Sequence, residues 1–486
     1  MDKDKARPGG PLKRSPGMRG SAPADQTAAE GDVTRRHREE ASSPGLPVEP
    51  RSGVNGMPSP SPKPTVTSGC AGAQNPGPTV RKAHSLIDKV YRWDNLYRAW
   101  RRVRANKGAH GLDRVSIRQF EADWSTHLRE IQRKLIEHRF QPSPVRRVYI
   151  PKSSDPSQRR PLGIPTVADR IVQQAILQIV EPLFDGLMSS RSFGFRRGRK
   201  AHEAIATVIR DGKDGFGAVL DADIRSFFDR IDHGVVMSRV RARIADGRVL
   251  DLIEMFLKAG VFENSVVTVP REGTPQGGVI SPWLSNLVLD DLDKALEAKG
   301  WRHVRYADDF VVLLRTREEA AEALRYVQEV LGRLKLELHE TKTRLTDFHS
   351  GFEFLGFHFH NYRLGVRRKS IDRFKERVRE LTRRQQGRNV DAVLGDLNPV
   401  IRGWAGYVGV AQTSDLFADL DSWIRMRVRA FRFKRKSRND NWRLPNRRLA
   451  KWGLLSLVDC RPKYRYVPAP VPAPCDEVPA RGRPVR

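Results

Sequence analysis

Aspartates stand at alternate positions in AVLDADIRSFFDRIDH (218–233) and side by side in VRYADDFVVLL (304–314). In the first run an apolar lead-in precedes Asp221 and Asp223, and a two-residue period puts both carboxylates on one face of a strand. In the second, two β-rich arms meet at Tyr306-Ala307-Asp308-Asp309, the pattern of a hairpin whose turn carries two acids. Alone, either run has a bland reading, because acids in turns usually cap backbone groups or simply solvate. Together they offer hard oxygen ligands from neighbouring strands. Phosphoryl transfer to a growing strand needs two divalent ions about 3.5–4 Å apart, one activating a hydroxyl and one steadying the leaving pyrophosphate. Mg²⁺ fills much of its shell with waters and substrate phosphates, so two or three aspartates suffice to hold it. Asp223 and Asp308 fit that requirement.

The elements that position these acids sit in a long and very basic chain. Its 486 residues predict two or three domains. Lys+Arg at 88 against Asp+Glu at 57 gives a net charge of +31 and a pI near 10.6, which calls for a polyanionic partner. No stretch approaches the roughly 18 consecutive apolar residues of a spanning helix, and the mean hydropathy of -0.55 agrees. The basic N-terminus has no apolar run behind it, so no secretory signal is expected and the chain is placed in the cytoplasm with nucleic acid. Cys70, Cys460 and Cys475 form no CxxC pair, which argues against a zinc site or a disulfide framework. Residues 1–83 are rich in Pro, Gly, Ser and Ala and read as a disordered basic extension. From His84 the pattern turns globular, and Leu86, Ile87, Val90, Tyr91, Trp93, Leu96, Tyr97 and Trp100 predict one amphipathic helix. Residues 468–486 read as a Pro-rich tail.

With the Tyr-Ala-Asp-Asp box in view, the sequence resembles reverse transcriptases of the group II intron type, over roughly residues 85–460. The resemblance implies an α+β right-hand polymerase: fingers and palm over 84–361, then an α-helical thumb, or domain X, over 362–467. By that match Asp223, Asp308 and Asp309 are the catalytic, metal-holding triad, with two Mg²⁺ ions as cofactor and Mn²⁺ as a substitute. PVRRVYIPK (144–152) and RRPLGIPTVADRIVQQAI (159–176) resemble the fingers blocks that grip a deoxynucleoside triphosphate. Arg146, Lys152 and Arg160 would neutralise its phosphates, although ordinary surface charge is the rival reading for Arg146. GTPQGGVISPWLSNLVLDDLD (273–293) opens with a Gly/Pro loop that admits close backbone approach. The family likeness places Gln276 under the incoming nucleotide and Lys342, in HETKT, near its triphosphate. Lys342 also reads as a helix C-terminal charge. Phe228 is implied to be the ring that leaves no room for a ribose 2′-hydroxyl, with Phe227 a core neighbour.

Past the palm, GFEFLGFHF (351–359) alternates aromatics like a hairpin that supports the primer end, with its phenylalanines packing. NPVIRGWAGYVGV (398–410) is similar to the centre of domain X, with Trp404 and Tyr407 structural. SWIRMRVRAFRFKRKSR (422–438) interleaves cations with aromatics. Solvation of a charged face is the plain reading there. Arginine density together with Trp423, Phe431 and Phe433 favours RNA, with Arg425, Arg427, Arg429 and Arg432 as contacts. No Cys/His constellation like an HNH endonuclease follows. The partners implied are an RNA template, intron RNA, a DNA primer or target and deoxynucleotides, with no membrane. An active polymerase that also assists splicing leads the readings. A maturase without polymerase activity, a free-standing enzyme with a host role such as phage defence, and an RNA-templated RNA polymerase stand behind it.

Overall fold

The computed structural model describes residues 82–152, 155–270, 272–274, 276–435 and 439–462, the side chains of 152 and 155–158 excepted. Nearly all of the expected N-terminal extension and the whole Pro-rich tail lie outside these residues. The fingers begin with two helices, Ile87–Tyr91 and Trp93–Ala105, where the periodicity predicted one. Arg92 breaks the run with an extended backbone (φ -54°, ψ 137°). Leu96 and Trp100 are buried, while Trp93 and Tyr97 face outward beside Trp124, their ring centroids 6.2 and 5.2 Å from its own.

Strands β1 (Val145–Lys152) and β2 (Asp155–Ile164) pair antiparallel as the fingers hairpin. Strand β3 (Ala218–Asp223) belongs to the palm, and short β4 (Val261–Glu263) and β5 (Val266–Thr268) extend the fingers sheet in the order β2-β1-β4-β5. The palm sheet adds β6 (Arg302–Tyr306), β7 (Asp309–Leu314) and β8 (Arg344–Asp347) in the order β6-β7-β3-β8. Strands β9 (Phe352–Phe354), β10 (Phe357–His360) and β11 (Arg363–Val366) form a meander, one strand more than the hairpin expected there. Its last strand pairs with β10 beyond residue 361, so sheet structure runs to Val366.

The palm sheet divides the protein into two cores, as a two-residue period dictates for a sheet covered on both faces. Leu220, Ala222, Phe310, Val312 and Leu314 pack with helices Ser281–Ala298 and Arg317–Arg333 and with the fingers. Val219, Val304, Val311 and Leu313 pack instead with the buried phenylalanines of the meander and with the thumb. Asp221, Asp223 and Asp309 keep step with Val219, Val311 and Leu313, so the acids continue the thumb-side face. Helix starts are set by local chemistry: Thr166 and Thr316 accept the N3 amides of Asp169 and Glu319 through their hydroxyls. The thumb is built from helices Arg368–Leu381, Val390–Val408 and Ser414–Phe433. Trp404 stacks on Phe374 at 4.2 Å, and Tyr407 donates its hydroxyl proton to the Leu355 carbonyl at 2.8 Å.

Candidate active site

Strand register makes the site. Strands β3 and β7 pair antiparallel with Asp223 opposite Asp309, and β6 and β7 close on Tyr306 opposite Asp309, leaving Ala307 and Asp308 as a two-residue turn. Ala307 adopts a left-handed φ of 61°, which a side chain tolerates only if its surroundings hold it. They do. Arg305, fully buried, donates to the Ala307 carbonyl at 3.0 Å, to Asn286 Oδ1 at 2.8 Å and to both Asp293 oxygens at 2.5 to 3.1 Å. Burial alone would raise the Asp293 carboxyl, but the Arg305 charge and hydrogen bonds outweigh it and hold the group below the usual carboxylate range. From the other side Gly194 lies so close that a Cβ there would sit 2.3 Å from the Ala307 nitrogen. Asn286 joins the two supports by donating to the Gly194 carbonyl at 2.8 Å. Arg305, Asn286, Asp293 and Gly194 escaped the sequence reading. The i, i+7 spacing of Asn286 and Asp293 on one helix was the only available signal.

The carboxylates crowd one another. Burial, then the charges of Asp221, Asp308 and Asp223, push Asp309 up to about 8. Asp308 is also raised, first by burial. Burial raises Asp221 too, partly offset by Arg344, whose Nε donates to its Oδ2 at 2.9 Å. Among the described residues no three acid or imidazole side chains form a ready-made metal cage. Asp223 is instead turned onto Lys342, whose Nζ stands 2.6 Å from Oδ2. Lys342 lies in a turn nine positions past the end of helix Arg317–Arg333, so it is not a helix C-terminal charge.

The remaining nucleotide-site candidates divide. Phe228 is partly buried in the short helix Phe227–Arg230 that follows β3, while Phe227 is 2% exposed and belongs to the core. The Phe228 carbonyl accepts the Thr274 amide at 2.7 Å, and the Gln276 carbonyl accepts the Gly163 amide of β2 at 2.7 Å. The Gly273–Gly278 loop thus bridges the fingers hairpin and the Phe228 segment. Gly277, at φ 117°, is needed because a Cβ would lie 2.6 Å from the Gly163 carbonyl. Arg160 is exposed on β2. Arg146 donates through Nε and Nη2 to the His110 carbonyl, at 3.3 and 2.9 Å, which ties the fingers together. Lys152 has its backbone in β1, and its side chain lies outside the described residues.

In the thumb two of the four expected RNA-contacting arginines turn inward. Arg429, 6% exposed, donates to the Leu444 carbonyl at 2.8 Å and to Asn446 Oδ1 at 2.7 Å, because residues 440–446 fold back over it. Arg427 ties off the end of helix Arg368–Leu381 through Thr382 Oγ1 and the Arg379 and Thr382 carbonyls. Arg425 is partly exposed and Arg432 exposed. Phe431 is buried, Trp423 and Phe433 are partly buried against the core, and Trp442 is exposed, at 73%.

Comparison with known proteins agrees with this architecture. The reverse transcriptase (RNA-dependent DNA polymerase) family profile matches residues 150–359, and the group II intron maturase-specific domain matches 371–452. Protein YkfC of Escherichia coli (strain K12) is 36% identical over 325 residues, 58% of this chain and 84% of that protein. The group II intron-encoded protein LtrA of Lactococcus lactis subsp. cremoris is 29% identical over 359 residues, 59% of each chain. An uncharacterized 91 kDa protein in the cob intron of Schizosaccharomyces pombe is 31% identical over 201 residues, 41% of this chain and 24% of that one. Two carboxylate-bearing strands in palm register, a fingers hairpin before them and a maturase-specific helical domain after them occur in family order, and the chain belongs to the group II intron reverse transcriptases.

Proposed function

We propose that the chain copies RNA into DNA at the Asp223, Asp308 and Asp309 cluster, and that its thumb holds a group II intron RNA and assists its splicing. The pairing of Asp223 with Asp309 across the two central palm strands, with Asp308 in the adjoining turn, carries this reading. The donor set suits divalent magnesium or manganese: every candidate ligand is a hard carboxylate oxygen, and burial together with the charges of Asp221, Asp308 and Asp223 pushes Asp309 up to about 8, a cluster that a divalent ion would neutralise. When bound, the ions supply Lewis acidity at the primer hydroxyl and neutralise the departing pyrophosphate.

The chain's own groups do the rest. Asp223 and Asp308 would hold the ions, and Asp309, once deprotonated, would complete the set. Lys342 is placed to leave Asp223 for the triphosphate, and exposed Arg160 adds a second cation. Backbone bonds at Gly163 and Thr274 fix the loop that carries Gln276 as a floor for the nucleotide. Phe228, ordered by that loop, closes the space beside the sugar C2′. Asp308→Ala should abolish primer extension on an RNA template and leave RNA affinity nearly intact, since affinity rests on basic residues elsewhere. Substantial extension by that variant would overturn the assignment.

A further inference from the structure

The thumb carries a cleft that the polymerase site does not use. It has a volume of about 440 Å³, within the range of sites that enclose small ligands, and lies between the start of helix Val390–Val408 and the end of helix Ser414–Phe433. Val390, Phe431 and Trp452 form its apolar wall; Arg388, Arg432 and Lys434 supply cations, and Asp391 is the acid at its edge. Arg388 is committed to Asp396 Oδ2 at 2.7 Å, and Lys434 donates to the Arg384 carbonyl at 2.7 Å while lying 5.0 Å over the Phe431 ring. Arg432 is exposed and has no partner among the described residues. The Trp452 indole is half-buried on the core, with the Arg448 guanidinium 5.9 Å from its centroid, so its position is preset.

We infer that this cleft takes one unpaired RNA nucleotide, its base against Trp452 and its phosphate against Arg432 and Lys434; the inference deepens the reading that the thumb holds RNA. An aromatic wall beside a free guanidinium is the chemistry that receives a splayed-out base, whereas a continuous A-form duplex hides its bases and offers a cleft of this size only phosphate. The net positive lining excludes a cationic ligand, and the aromatic wall gives more than a bare anion needs.

The test uses the full chain and three RNA hairpins that share a stem: one with a single bulged nucleotide, one with an abasic bulge and one uninterrupted. Affinities are read across a salt series. The unmodified chain should bind the base-bearing bulge roughly fivefold or more tightly than the other two, as the worth of one stacked base implies. Trp452→Ala should erase that preference and leave uninterrupted-stem affinity unchanged, and Trp452→Phe should keep most of it. Arg432→Gln should weaken the bulged hairpin and flatten its log–log salt slope by about 0.7, the share of one neutralised phosphate. Equal affinity of the unmodified chain for all three hairpins overturns the inference, as does equal binding of abasic and base-bearing bulges. If Trp452→Ala melts early, Arg432→Gln decides, since it alters an exposed side chain, and an unchanged affinity and slope there count against the cleft. Primer extension on an unstructured template is measured in parallel. Its absence from the unmodified chain would count against the polymerase reading and not against the cleft.

Discussion

Phe227 and Phe228 are neighbours with opposite duties. One anchors the fingers-side core, and the other lies partly buried in the short helix Phe227–Arg230 after β3, its carbonyl tied to Thr274. Phe228→Ala should raise ribonucleotide incorporation relative to deoxynucleotide in single-nucleotide extension, with some loss of melting temperature, because the ring is partly buried edge-on to Phe227 at 5.3 Å. An unchanged ratio places the sugar filter elsewhere. Asp169 shows how one buried acid writes a pH dependence into stability. It is 2% exposed beneath the fingers loop, and burial pushes it up to about 6 despite donors from Thr166 and Ser143. The folded state therefore holds that proton more tightly than the unfolded chain, whose value is near 3.8. Stability falls as pH rises from about 4 to about 6 and is flat above, a loss on the order of 3 kcal/mol at most. Thermal melts of Asp169→Asn should lose this segment of pH dependence, so the variant gains on the parent as pH rises through that window.

At the scale of elements, the Ala307–Asp308 turn depends on a helix and a loop outside its own hairpin. Helix Ser281–Ala298 lends Asn286 and Asp293 to Arg305, and Arg305 holds the turn by the Ala307 carbonyl. Arg305→Met leaves Asp293 buried with only the His303 imidazole, 3.3 Å away, to answer it, which should cost about 3–5 kcal/mol by chemical denaturation. The segment carrying Gly194 runs beside β6, with the Phe193 amide donating to the Arg305 carbonyl at 2.8 Å. Gly194→Ala puts its new carbon against backbone and not against a side chain that can swing away, so the turn itself must shift. Extension should fall by an order of magnitude or more while the far-ultraviolet dichroism stays near that of the parent, since misplacement by about 1 Å costs roughly 10²-fold. Parent-like extension by Gly194→Ala would show that the turn tolerates the displacement.

Across the whole molecule, one core links the thumb-side face of the palm sheet to the thumb helices. Arg425→Gln with Arg432→Gln should lower affinity for structured RNA and flatten the salt slope by up to about 0.7 for each phosphate that is no longer neutralised, with an unchanged melting temperature. Arg429→Met should do the reverse, because its guanidinium satisfies the Leu444 carbonyl inside the thumb and its removal strands a buried acceptor. A melting temperature insensitive to Arg429→Met would return that residue to the surface set.

The parts of this protein legible in its sequence are those fixed by neighbours along the chain. A two-residue period put Asp221 and Asp223 on one face of β3, and two apolar arms around Tyr306-Ala307-Asp308-Asp309 produced a hairpin, because pleat and turn are local properties. The α-helical character of the thumb came instead from the family resemblance. Tertiary structure decided what covers each face. Arg425, Arg429 and Arg432 share one side of helix Ser414–Phe433 by spacing, yet Arg429 is interior because residues 440–446 return over it. Lys342 meets Asp223 across 119 positions, and Gly194 meets Ala307 across more than a hundred. Helical and strand periods specify which side chains share a face, but burial and partnership follow from chain closure over long separations, which no local pattern encodes.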